Sequence, residues 1–231
     1  MAINVDLVYK TVLLILNQQQ RGNITPDEFN KVGTQVQLGI FEKYMSDLNQ
    51  QLRVPSNDSE YGDRVKNIEE KIDIFKRIGD AVYAAPIFDL PAVTDFYRLG
   101  SVIYNDSIEA QMVDRNEWYL IKKAPLVAPT KSQPVFLYEN SKISIFPTTI
   151  TSDIQVSYIK KPADVQWGYS VGGLGQFEYN SATSVNFELH VSEQVDIIMG
   201  ILLYSGVIIQ DPTIIQVASQ KVQQEDINEK S

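Results

Sequence analysis

Val135-Phe136-Leu137-Tyr138-Glu139-Asn140-Ser141-Lys142-Ile143-Ser144-Ile145-Phe146 is the stretch on which the reading of the fold turns. Two runs of branched and aromatic residues flank Asn140-Ser141, a pair that can turn the chain tightly. The segment therefore predicts a hairpin of two strands, Val135–Glu139 and Lys142–Phe146. Farther on, Ile154-Gln155-Val156-Ser157-Tyr158-Ile159 alternates apolar and polar residues. That period predicts a strand over Ile154–Lys160 with one packed and one wet face. Asp95–Tyr104 predicts a further strand on the N-terminal side. From Phe88 to about Val165 the chain is rich in Val, Ile, Tyr and Phe and is punctuated by prolines at 91, 125, 129, 134, 147 and 162. Within it, Asp114–Lys122 predicts a short helix holding Trp118 and Tyr119 against the sheet.

Both flanks read as helical. Val5, Val8, Val12, Ile15 and Leu16 recur at helical spacing, with Asn4 as cap and Gly22 as stop. Thr25-Pro26-Asp27-Glu28 is a strong helix start: a capping hydroxyl, a proline at the first helical position, and an acid that reaches back to the cap. The stripe Phe29, Val32, Val36, Ile40, Tyr44, Leu48, Leu52 carries that helix to Pro55. Val65, Ile68, Ile72 and Phe75 predict a third helix over Asp63–Ile78, closed by Gly79. At the other end, Ser192–Ile209 and Pro212–Asp226 predict two more helices, with Asp211 capping the second. The expected class is α+β: a helical bundle made from both chain ends, with an inserted antiparallel β-rich subdomain and an extended arm. The expected boundaries are 1–87, 88–185 and 186–231.

Composition narrows the chemistry. Hydrophobic residues make up 44% and charged residues 21%, which suits a packed globular chain rather than a disordered one. Absence of cysteine removes disulfides, thiolate metal sites and cysteine nucleophiles. A single histidine, His190, rules out a histidine-rich metal site within one subunit and is read as structural. The net charge of −9 disfavours nonspecific DNA binding, yet suits a surface past which DNA must slide. No basic segment or cleavage pattern of a secretory signal opens the sequence. The apolar run Val195–Ile209 contains Asp196 and falls short of the ~20 residues of a membrane span, so no membrane association is expected.

The motifs are mostly negative. Gly172-Gly173-Leu174-Gly175 lacks the Gly-Lys-Ser/Thr ending and the following helix of a phosphate loop. Asn57–Asp63 resembles a calcium loop, but Tyr61 and Ile68 fall where ligands belong. Asn23-Ile24-Thr25, Asn57-Asp58-Ser59 and Asn105-Asp106-Ser107 fit the glycosylation pattern only formally. Lys122-Lys123 and Lys160-Lys161 read first as solvated charges guarding sheet edges, and otherwise as contacts to phosphate or to an acidic neighbour. No carboxylate pair stands out as acid and base. The long stretch Gln166–Ser184 does stand out. It reads as irregular and combines four glycines with Trp167, Tyr169, Phe177 and Tyr179. Structureless stretches of that length in compact domains usually serve a purpose. It is either a disordered surface segment or, in the preferred reading, an arm whose four aromatics bury against another subunit. With Ile227 in the polar tail Lys221–Ser231, they are the candidate assembly-interface residues.

Met1-Ala2-Ile3-Asn4-Val5-Asp6-Leu7-Val8-Tyr9-Lys10, Gly22–Asn30, Asn49–Pro55 and the block Asn186–Ser231 resemble a virion structural protein of crAss-like short-tailed phages. Members of that group are ring, or head–tail adaptor, components that sit between portal and tail. The resemblance implies a virion protein made in the host bacterial cytoplasm, with no enzymatic activity and no cofactor. It implies assembly with other copies of itself into a ring, twelvefold like the portal, in contact with the portal protein and with adjacent ring or tail proteins. Genome DNA would pass through the lumen without specific binding. A tail-hub or tail-tube component is the nearest alternative. A cytoplasmic phage DNA-binding regulator or enzyme is a more distant one, which a basic recognition helix or a polar pocket would favour.

Overall fold

The computed structural model describes residues 2–18, 24–51, 59–91 and 94–209, with 216, 219, 220 and 223 from the last segment. The chain divides into two compact units: Met1–Ile74 with Pro162–Ser231, and Phe75–Lys161.

The second unit overturns the expectation of a helical bundle with a small β insertion. Its centre is an eight-stranded sheet. In chain order the strands are β1 (Lys76–Asp80), β2 (Val82–Ala84), β3 (Ile87–Asp89), β4 (Phe96–Tyr104), β5 (Ile108–Met112), β6 (Val135–Glu139), β7 (Lys142–Phe146) and β8 (Ile154–Lys160). They lie side by side as β1-β8-β4-β5-β6-β7-β3-β2. Every neighbouring pair is antiparallel except β5 and β6, which run parallel. The two outermost strands, β1 and β2, are consecutive in sequence with only Ala81 between them, and the Ala81 N–H donates to the Ile154 carbonyl (2.9 Å). A sheet whose opposite edges belong to one continuous segment must curl back on itself. It is therefore nearly closed, and few backbone groups are left along open edges.

Side chains fill the inside. Phe88, Leu90, Val102, Ala110, Phe136, Ile143, Ile145, Ile150, Ile154 and Val156 form one buried cluster, as expected of a small barrel-like sheet. Along β8 burial alternates residue by residue from Ile154 to Tyr158. Asn140 and Ser141 both adopt positive φ (51° and 56°), the backbone that a two-residue hairpin turn requires. Asn105 and Asp106 do the same (51° and 54°) between β4 and β5. Outside the sheet, α4 (Arg115–Lys123) lays Trp118 flat on Phe146, ring centroids 3.7 Å apart, and covers Val113, Val135 and Leu137. Tyr119, expected to share that role, is half exposed.

The first unit is mainly helical: α1 (Val5–Gln18), α2 (Pro26–Gln51), α3 (Ser59–Asp73) and α5 (Gln194–Ile209), with α2 packed on α3 and α5, and α1 on α5. Asn4 caps α1 by accepting from the N–H groups of Asp6 (2.9 Å) and Leu7 (3.1 Å). At α2 the Glu28 N–H donates to Thr25 Oγ1 (3.3 Å) and the Thr25 N–H to Glu28 Oε2 (2.9 Å), the reciprocal bonds anticipated from the sequence. Helix α3 ends earlier than its apolar stripe suggests, because Lys76–Asp80 pairs along its length with β8. Gly22, Pro55 and Asp211, and most of the expected Pro212–Asp226 helix, lie outside the described residues.

Two buried polar groups fasten distant parts of this unit. Gln37, on α2, donates to the Ala163 carbonyl (2.7 Å) and accepts from the Glu188 N–H (2.9 Å). Glu193 is ion-paired with Lys71 at 2.7 Å. Burial alone would push the Glu193 carboxyl up. The hydrogen bond and charge of Lys71, with a further hydrogen bond to Asp196, outweigh it and hold its pKa below the usual carboxylate value.

Candidate assembly interface

The stretch 166–184, expected to be irregular, is an ordered hairpin in the first unit. Its strands are β9 (Tyr169–Val171) and β10 (Phe177–Tyr179), paired antiparallel with Tyr169 opposite Tyr179 and Val171 opposite Phe177. Gly175 at φ +82° lets the connection turn, and the Gly172 N–H donates back to the Gln176 carbonyl (2.8 Å). The Leu174 N–H is held by Gln176 Oε1 (3.1 Å), and Gln176 Nε2 in turn donates to Glu178 Oε1 (3.0 Å).

An isolated two-stranded hairpin is marginal in water, so its root must hold it. Gln166 and Val185 exchange backbone bonds (3.1 and 2.7 Å). Ser184 Oγ accepts from the Gly168 N–H (3.0 Å) and donates to the Asn180 carbonyl (2.7 Å). Gly168 is there because nothing larger fits. An added Cβ would lie 2.2 Å from Thr183 Oγ1 and 2.8 Å from the Asn180 carbonyl oxygen.

Trp167 fixes the root to the helices. Its N–H donates to Asn30 Oδ1 (2.7 Å), its carbonyl accepts from Asn30 Nδ2 (3.4 Å), and its indole N–H donates to Asp6 Oδ1 (3.1 Å). Its ring lies 4.4 Å from that of Tyr9, which packs edge-on at 4.8 Å against the fully buried Phe29. Burial pushes the Tyr9 phenol pKa up. On the outer side Trp167 meets Tyr169 (6.1 Å) and Tyr179 (5.7 Å), and Tyr169 meets Phe177 edge-on at 5.0 Å. An aromatic column thus runs from Phe29 in the core to Phe177 at the surface, each pair adding ~0.5–1.5 kcal/mol beyond its burial.

The sequence candidates therefore divide by position. Trp167 is only 4% exposed and belongs to the unit's own core. Tyr169, Phe177 and Tyr179 remain open to solvent, and Val171 and Leu174 extend the same surface toward the tip. Ile227 lies outside the described residues. A shallow groove along α1, lined by Asn4, Asp6, Leu7, Lys10, Thr11 and Leu14, shares Asp6 with the Trp167 anchor. No sequence signal pointed to it, because Leu7 and Leu14 lie on the helix side away from the stripe that defined α1. His190 caps the short turn Val191–Glu193 through its ring nitrogen. Among the described residues no three His, Asp or Glu side chains gather as metal ligands would, and no helix is long and apolar enough to cross a membrane. No family model matches the chain, and no curated protein does either.

Proposed function

We propose that this chain is a structural protein of a phage virion: a head–tail connector subunit that assembles as a ring on the portal and forms part of the channel through which the genome leaves. The observation that carries the proposal is the aromatic hairpin. Its outer residues, Tyr169, Phe177 and Tyr179, are anchored through Trp167 and Tyr9 to Phe29, yet face solvent. Rigid, pre-ordered aromatic side chains that project from a fold make effective interface anchors, because little freedom remains to be lost on docking. The resemblance of both chain ends to neck proteins of crAss-like phages supports the same reading.

The work is geometric. A projecting hairpin that docks on a different surface of the next copy is a heterologous contact, and it closes into a ring when the rotation per copy divides the circle. The net charge of −9 suits a channel wall, since surplus carboxylates repel genome phosphates and let DNA pass without sticking. Neighbours would be further copies, the portal and the next ring or tail protein. The subunit needs no substrate or cofactor.

The test is assembly. Purified chain mixed with the portal of its own phage should form a stoichiometric ring complex, visible by native mass spectrometry and electron microscopy, and the chain should be present in purified particles. Absence from particles, or tight salt-sensitive binding to phage DNA in a gel-shift assay, overturns the reading.

A further inference from the structure

The second unit carries another exposed apolar surface. Neither α4 nor the 3-10 turn Pro125–Val127 that follows it has a buried residue. Leu120 is 70% exposed, Val127 62%, and Leu126 stands fully in solvent. Large apolar side chains grouped in this way commonly mark a contact site.

The charges around this corner are equally uneven. At the start of α4, Arg115 forks onto both carboxylate oxygens of Glu139, and Lys142 on β7 pairs with Asp89. Lys122 and Lys123 in the last turn of the helix, and Lys131 just beyond it, are exposed and pair with no acid among the described residues. An exposed apolar segment flanked in the chain by three such cations is complementary to an acidic peptide with an apolar residue between its carboxylates.

The chain itself contains such a peptide. We propose that the Leu120–Leu126–Val127 corner receives the C-terminal residues 224–231 of a second copy. Glu225, Asp226 and Glu229 surround Ile227 in that segment. The carboxylates oppose Lys122, Lys123 and Lys131, and Ile227 covers the exposed leucines. Ile227 follows Ile209, where α5 ends, by eighteen residues; with 216, 219, 220 and 223 helical their span is well short of the ~60 Å of a fully extended chain, but long enough to carry the tail away from α5. An anionic lipid surface would also suit lysines beside leucines, but a chain of net charge −9 is repelled by it. The inference rests on the reading that copies of this chain associate.

A fluorescent peptide spanning 223–231 is titrated into full-length protein whose own tail is neutralised (E225Q/D226N/E229Q). Saturable binding is expected, weakened roughly tenfold or more by K122E/K123E and by raised salt, and weakened by L126S. A peptide with Glu225→Lys and Asp226→Lys should bind the K122E/K123E protein in preference to the unaltered one. No saturable binding, or binding indifferent to K122E/K123E, overturns the proposal. So does capture by phosphatidylserine vesicles without capture of the peptide. For the second-copy assignment, full-length K122E/K123E is mixed with full-length E225Q/D226N/E229Q. Native mass spectrometry should then show mixed dimers that neither gives alone, and their absence sinks that assignment. The two proposals fail separately. Peptide binding by a chain absent from virions removes the connector role alone, whereas ring formation on the portal unaffected by K122E/K123E removes the tail contact alone.

Discussion

Two hairpins of this molecule use the same residue types for opposite ends. In β6–β7, Phe136, Ile143 and Ile145 face the interior of the sheet while Val135 and Leu137 lie beneath α4, so both faces are covered. In β9–β10 all six strand residues are exposed. The first hairpin is held by burial, while the second is held at its root and leaves its aromatics uncovered. Identical local chemistry can thus make a core or a contact surface, and the difference lies in what the rest of the chain places above it.

The widest separation between the two is expected for core truncation. Phe136→Ala should cost about 3–5 kcal/mol, the transfer loss plus an unfilled cavity. Urea unfolding should show it as a lower midpoint with an unchanged slope. A cost near zero would mean that the interior of the curled sheet is not packed as described.

A second effect concerns the helical unit that carries the aromatic column, where Lys71 on α3 pairs with Glu193. Lys71→Met leaves the Glu193 carboxylate buried without its cation and should cost ~3 kcal/mol, at the low end for such pairs because Lys71 keeps some access to water and Ser192 still donates to the carboxylate. The pH dependence has a defined sign. The folded-state pKa of Glu193 lies below its unfolded value, so its contribution is complete above the ordinary carboxylate range and is lost as pH falls through the lowered pKa. Glu193→Gln should flatten the acid limb of a stability-against-pH curve. An unchanged limb would show that the pair does not hold this unit.

These contrasts also show what the sequence could reveal. The strand limits of β6, β7 and β8 are readable because apolar alternation and Asn140-Ser141 are local signals. The start of α2 is readable for the same reason. The curled sheet is not, because half of its strands carry no local signature. Lys76–Asp80 continues the helical stripe of Ile72 and Phe75 and becomes a strand only by pairing with β8. Ile108-Glu109-Ala110-Gln111-Met112 contains good helix formers, and its pairing with β4 and β6 overrides them. β2 and β3 are three residues each. Without those four strands, the segment looks like a small insertion between helices. In the hairpin 166–184 the aromatics are visible in the sequence but their roles are not. Asn30, which anchors Trp167, lies 137 residues earlier.

A third prediction addresses the root. Gly168→Ala places a methyl where Thr183 Oγ1 and the Asn180 carbonyl already sit. Relief must come from shifting the segment 180–183, at a cost of ~1–3 kcal/mol. Amide exchange across β9 and β10 should accelerate while that of β6 and β7 stays slow. Equal protection in both hairpins would show that the root is not what orders the second one.

The smallest stability effect is expected at the tip, and there the comparison is sharpest. Phe177 is nearly half exposed and packs edge-on against Tyr169, so Phe177→Ser should cost only about the worth of that one pair, ~0.5–1.5 kcal/mol. The same substitution in β6–β7, Phe136→Ser, should cost at least as much as Phe136→Ala, because it adds a buried hydroxyl to the cavity. If the tip exists to dock, Phe177→Ser must nonetheless weaken ring formation on the portal severely, because interface energy concentrates in a few aromatic anchors. A side chain that stabilises its own fold shows its cost in the isolated chain, and one that serves a neighbour shows it only in the assembly. Full assembly by a stable Phe177→Ser protein would remove the hairpin from the interface and leave its exposed aromatics without a purpose.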